Sequence, residues 1–132
     1  LTWIKPAGSR ARYYTGGFAY QCQALGSAYA APKGPGPQPL TLTTATLSFF
    51  GGDLAADFSN HLTQTPSGAL GNASDNRLSL SFSRATGALR GNVIDPNSGR
   101  AMPFSGVVFQ KTQSGYGFML GTGQSSAVEL GQ

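Results

Sequence analysis

Leu78-Ser-Leu-Ser-Phe-Ser-Arg-Ala-Thr-Gly87 is the stretch from which the fold can be read. Leu78, Leu80 and Phe82 alternate with Ser79, Ser81 and Ser83, the period of two that gives a half-buried strand one apolar and one hydroxylated face. Arg84-Ala-Thr-Gly87 closes a hairpin, and Leu89, Gly91 and Val93 return on the apolar side. The next turn is Asp95-Pro-Asn-Ser-Gly99, where proline presets φ, aspartate bonds back to the backbone and glycine accepts positive φ. A third strand runs from Arg100 to Lys111 with Met102, Phe104, Gly106 and Val108 on one face. Gln113-Ser-Gly115 turns the chain into Tyr116 to Gly121, and Gly123-Gln-Ser125 turns it into Ala127 to Leu130. Arg77 to Leu130 is therefore a five-stranded antiparallel meander. Gly91, Gly106, Gly117 and Gly121 interrupt it where glycine marks a bulge, a sharp bend or a ring lying over the backbone. The sheet should curve strongly, as a small barrel or a β-sandwich, and the run Val107-Val108-Phe109 predicts either a bulge or a strand covered on both faces.

Toward the N-terminus the signal stays β but weakens. Leu40 to Phe50 is rich in β-branched and aromatic residues and reads as one strand or two joined by a bend, and Phe58 to Gln64 as another. Asp53 to Phe58 fits either a helical turn capped by Asp53 or a loop. A short Ala69-Leu70 element lies between the turn signals Pro66-Ser-Gly68 and Asn72-Ala-Ser-Asp-Asn76. Ala31 to Pro39 carries four prolines, so it can be neither helix nor central strand and reads as a surface connection. Leu1 to Lys5 is a strand stopped by Pro6, and Tyr13 to Leu25 supplies a second, broken near Gly16-Gly17. The 30 or so residues before the prolines are too few to fold alone, so all 132 residues are expected to form one all-β domain.

Composition narrows the function. Charged residues are 11% of the chain, against roughly a quarter in ordinary soluble domains, so Gly, Ser, Thr, Asn and Gln must cover much of the surface. The net charge of +4 comes from nine scattered basic residues, not the clustered patch that phosphate backbones need, and nucleic acid is not an expected partner. No apolar run approaches the roughly 20 residues of a membrane-spanning helix, and membrane insertion is not expected. The single cysteine, Cys22, precludes an internal disulfide framework, and its alternation with Phe18 and Tyr20 predicts an inward-pointing thiol. Beginning at Leu1, the chain is expected to be a processed product or an excised piece of something longer.

Several motifs resemble a module repeated within very large secreted bacterial proteins of the kind found in Verrucomicrobia. They are Leu1-Thr-Trp-Ile-Lys-Pro6, Gly17-Phe18, Gly26-Ser-Ala-Tyr29 followed by Pro32, Ser105-Gly-Val-Val-Phe-Gln-Lys111 and Gly115-Tyr-Gly-Phe-Met-Leu-Gly-Thr-Gly-Gln-Ser125. The likeness spans most of the chain, and a Ser-Gly pair of that pattern is replaced by Ser125-Ser126. The resemblance implies a secreted or cell-surface location and a chain of β modules, and it brings no catalytic residue to transfer. The Gly-punctuated stretch from Gly115 to Gly121 also resembles the barrel lobes of bacterial surface lipoproteins such as transferrin-binding proteins, as an analogy of architecture only.

The residues offer little to a reaction centre. His61 is the only histidine, the five acids show no paired spacing, and neither a catalytic residue, a metal ligand nor a cofactor site is assigned. Asp53 with Asp57, or Asp75 with Asn72 and Asn76, could offer oxygens to calcium but fit caps and turns better. Trp3, Tyr20 and Tyr116 are expected in the core. Tyr13 and Tyr14, adjacent and so on opposite faces of a strand, are the candidate ligand contacts, with glycans as the ligand. Thr2, Trp3 and Ile4 form the candidate self-association edge. The expected function is a non-enzymatic, extracellular structural or adhesive module packing against copies of itself or neighbouring modules, with filament formation an option. The alternatives are a carbohydrate-binding module and a barrel for a small apolar ligand.

Overall fold

The computed structural model describes residues 1–8, 10–34 and 38–132, and residues 35–37 of the proline-rich connection lie outside it. Among the described residues ten strands form: β1 (Thr2–Lys5), β2 (Phe18–Gln21), β3 (Thr44–Phe50), β4 (Phe58–Gln64), β5 (Leu70–Asn72), β6 (Leu78–Phe82), β7 (Ala88–Ile94), β8 (Ala101–Phe109), β9 (Ser114–Met119) and β10 (Ser126–Gly131). β1 and β2 pair only with each other, and the other eight form one antiparallel sheet in the order β5-β4-β3-β10-β9-β8-β7-β6. That sheet curls into a nearly closed barrel. The five-stranded meander is β6 to β10, consecutive in the sheet as its alternation predicted.

Period-two patterning places the core. Leu47, Phe49, Leu62, Leu89, Val93, Phe104, Val108, Met119, Val128 and Leu130 point inward and are almost completely buried. At their centre the Phe49 ring stacks on Phe58 at 4.8 Å and meets Phe104 edge-on at 5.3 Å. The interior glycines let so narrow a wall close. Gly106 and Gly117 face each other across β8 and β9, and a Cβ on either would stand 2.3 Å from a backbone oxygen of the other strand. At Gly91 the Phe104 ring takes the space a side chain would occupy. The ring lying over a backbone is thus the outcome at this position.

The ends of the barrel differ. At the lower end Leu40 and Leu42 plug the interior ahead of β3. Tyr29 lies over Gly87 there and donates its hydroxyl to the Arg84 carbonyl at 2.7 Å. Gln110 clamps the same strap, bonding both the nitrogen and the oxygen of Ala30 at 2.9 Å. At the upper end the turns after β3, β7 and β9 converge.

Several expectations fail for identifiable reasons. Trp3, Tyr20 and Tyr116 are 63%, 66% and 45% exposed, not core residues, because the β1–β2 hairpin is not laid on the barrel and Tyr116 faces outward. Cys22 is half-buried just past β2. The second strand covers only Phe18–Gln21, since Tyr14 (φ 52°) and Gly17 (φ 69°) are left-handed and turn the chain. Val107 to Phe109 is neither bulged nor covered on both sides. The register runs through it unbroken, with Val108 buried, Val107 exposed and Phe109 against the Tyr116 ring at 5.3 Å. For the segment after β3, the loop is the one of its two readings that holds, over residues 53–57, and Phe58 opens β4.

Because Phe49 is fully buried between two aromatic rings, Phe49→Ala should lower unfolding stability by about 3–5 kcal/mol. Equilibrium denaturation in urea would measure it.

Candidate functional site

The upper end assembles from three turns and one N-terminal segment. Gly51 and Gly52, both at positive φ, swing the chain after β3 so that the Asp53 carboxylate reaches across to the turn after β9. It accepts the backbone N–H of Gly123 at 2.9 Å and of Gln124 at 3.1 Å. Those two bonds hold the Asp53 carboxyl below its ordinary pKa. Asp53 therefore caps a turn far away in sequence, not its own.

After β7, the buried Asp95 folds its own turn, accepting the Asn97 N–H at 2.9 Å and the Ser98 hydroxyl. Burial pushes the Asp95 carboxyl up, but the bonds from Ser98 and Asn97 together outweigh it and leave the pKa lowered. Both carboxylates are engaged by loop donors, and none of the bonds just named comes from a guanidinium.

Residues 12–14 lie against these turns. Arg12 stands over the Tyr13 ring at 5.4 Å, a cation–π contact. Tyr14 is a rivet: its N–H donates to the Thr122 carbonyl at 3.0 Å and its hydroxyl bonds the Ser125 hydroxyl. Its carbonyl accepts Lys5 Nζ at 2.9 Å, and its ring packs edge-on against Phe18 at 5.3 Å. Between the segment and the turns lies a cleft of about 410 Å³, with Leu54, Met102 and Leu120 as apolar wall and Arg12, Tyr13 and Arg100 at its polar side.

The predicted site residues thus separate. Tyr13 lines the cleft, Tyr14 ties hairpin to barrel, and Thr2, Trp3 and Ile4 lie on the exposed hairpin. Trp3 packs edge-on against Phe18 at 5.4 Å but stays largely exposed. Among the described residues no group of three or more His, Cys, Asp or Glu side chains gathers as metal ligands. The Asn72 and Asn76 amides, considered for calcium, hold Asn60 instead. Asn60 Nδ2 donates to both, at 2.9 and 2.6 Å, and Asn76 Nδ2 donates back to Asn60 at 3.1 Å. His61 is exposed on β4.

Sequence reasoning missed Asn60 and the reach of Asp53. Asn60 had a signal, since it shares the inward parity of Phe58 and Leu62, whereas nothing local marks Asp53 as the cap of a turn 70 residues on. No family model matches the chain, and neither a curated protein nor a solved structure is similar enough to it to mark a relationship.

The two lowered carboxyl pKa values have a definite sign. As pH falls through the ordinary aspartate value of 3.8, the unfolded chain takes up these protons before the folded one does. Stability is therefore full above that value and lost below it. Asp95→Asn should flatten the loss of stability between neutral pH and about pH 3, measured as urea midpoints across that range.

Proposed function

We propose that this chain is a non-enzymatic structural or adhesive β module, working outside the cell and packing against copies of itself or adjacent modules. One observation carries the reading: β1 and β2 form an isolated two-stranded sheet in which Trp3, Ile4 and Tyr20 are 63%, 65% and 66% exposed. A lone hairpin is marginal in water, and exposed apolar side chains on its edge strands suit association. The outer face of the barrel adds Val107, Tyr116, Phe118 and Leu120, each nearly half exposed. A surface with few charges repels its neighbours weakly, which suits close packing of modules. The extracellular location rests on the family resemblance.

Association should appear in light scattering or sedimentation between about 1 μM and 1 mM. The double variant Trp3→Glu, Ile4→Glu should weaken it at least about tenfold, since each large apolar side chain is worth about 1.5–3 kcal/mol when buried. A wild-type chain that stays monomeric over that range would overturn the proposal.

A second reading, carbohydrate binding, is supported by the upper cleft, where the Tyr13 ring stands beside Arg12 and Arg100. Neutral and acidic oligosaccharides titrated against labelled protein should then shift the Tyr13 and Leu120 amides. Tyr13→Ala should abolish the shifts, and no response from any sugar would end this reading. The third alternative, a barrel for a small apolar ligand, draws no support from an interior occupied by Phe49, Phe104 and their aliphatic neighbours.

A further inference from the structure

The upper cleft carries charge that the fold does not use. Among the described residues the one guanidinium that donates a hydrogen bond is that of Arg84, at the lower end, to the Gly34 carbonyl. Arg12 and Arg100 line the same cleft of about 410 Å³, and among the described residues no carboxylate or carbonyl accepts from either side chain.

Both arginines are nevertheless fixed through the backbone. The Arg100 carbonyl accepts the Asp95 N–H at 3.0 Å, so the turn after β7 sets where that residue stands. Arg12 lies two positions ahead of Tyr14, whose N–H is bonded to the Thr122 carbonyl, and its guanidinium rests over the Tyr13 ring.

The carboxylates of the cleft are already engaged. Asp53 accepts with both oxygens from the turn after β9, and the buried Asp95 accepts with one from the Asn97 N–H and with the other from the Ser98 hydroxyl. The Ser98 hydroxyl hydrogen is consumed in that bond, and no asparagine, glutamine or histidine is among the lining residues. The side-chain groups left for a ligand are therefore the two guanidiniums and the hydroxyls of Tyr13 and Thr122.

That inventory selects a chemistry. A guanidinium only donates, whereas each hydroxyl of a neutral sugar brings a donor that needs an acceptor once buried. A carboxylate only accepts, and its two oxygens match the planar fork of a guanidinium. The apolar wall of Leu54, Met102 and Leu120, with the Tyr13 ring, gives the C–H face of a pyranose a surface that a bare ion would leave uncovered. Two arginines and two aspartates also cancel in formal charge, so no strong field gathers a polyanion such as a nucleic acid, and recognition falls to short-range contacts.

We propose, resting on the carbohydrate reading of this cleft, that its ligand is an acidic sugar: a uronic acid residue whose carboxylate lies on Arg12 and Arg100 and whose ring lies against Tyr13 and the apolar wall. Asp53 and Asp95 make no contact with it and serve to hold the loops that present the two arginines.

The test titrates oligouronides of the glucuronic, galacturonic and mannuronic series into isotope-labelled full-length chain, each beside its methyl ester, which keeps the ring and removes the charge. At least one acid should shift the Tyr13 and Leu120 amides and bind about tenfold or more tighter than its ester, the factor a charged hydrogen bond supplies. Arg12→Gln and Arg100→Gln should each bring the affinity for the acid down toward that for the ester, with the urea midpoint unchanged, since neither side chain donates a bond within the fold. Arg100→Lys, which keeps the charge and loses the fork, should lose most of the preference as well. If acid and ester bind alike, if the Gln variants keep the preference, or if sulfated sugars bind as tightly as the uronides, the uronic acid assignment falls while the carbohydrate reading stands. If no sugar binds, both fall together.

Discussion

The close approach of β8 and β9 at Gly106 and Gly117 is the constraint on which the rest of the barrel depends. Two side chains on the inner wall there would each need the space held by the opposite backbone. Without them the wall bends inward, and the barrel becomes narrow enough for one layer of side chains, Phe49 and Phe104 chief among them, to fill it. Gly91 completes the arrangement by giving its inner face to the Phe104 ring. Glycine in a strand ordinarily weakens it, and that cost is offset here by aromatic packing that a wider barrel could not achieve.

Polar groups then hold what packing alone leaves loose. Asp53 joins the turn after β3 to the turn after β9, Asp95 shapes the turn after β7, and the amides of Asn60, Asn72 and Asn76 bind one another across the β4–β6 region. Asn60 is completely buried and bonded through both its nitrogen and its oxygen, as a buried amide must be to avoid a desolvation penalty. The Asn76 amide also reaches the Ile94 carbonyl at 2.9 Å, linking the loop before β6 to β7. These bonds keep the interruption between β5 and β6 narrow although no ladder crosses it.

Much of this was legible in the residues. Alternation and turn chemistry located β6 to β10 to within about two residues at each end, because in a half-buried strand the pattern records which side meets the core; the turn before β9 lies at Gln110–Thr112, ahead of the expected Gln113-Ser-Gly115. The same pattern could not tell whether anything covers a face. Trp3 and Tyr20 share one side of the hairpin, as the period implies, yet that side stands largely in solvent, and Val107 and Tyr116 face outward without a cover. Nor could adjacency in sequence separate Tyr13 from Tyr14. A left-handed Tyr14 breaks the strand and turns one ring to the cleft and the other to the rivet. The upper cleft depends on contacts between segments as distant as Arg12 and Arg100, which local propensity does not carry.

The two ends of the barrel divide the labour. Below, Leu40, Leu42 and Tyr29 close the interior, and Gln110 and Gln113 bond the incoming chain, Gln113 Oε1 accepting the Thr41 N–H at 2.7 Å. Chain from the N-terminal third is spent there on sealing the core. Above, the same third contributes Arg12 and Tyr13 to an open cleft and a hairpin held chiefly by Tyr14. The hairpin contributes no residue to the buried core, which lies in β3 to β10 and the segment leading into β3. Association through β1 would therefore draw on an element whose ordering costs the fold little. The fold thus keeps its stable part sealed and its exposed apolar hairpin separate, a division that fits the role proposed above.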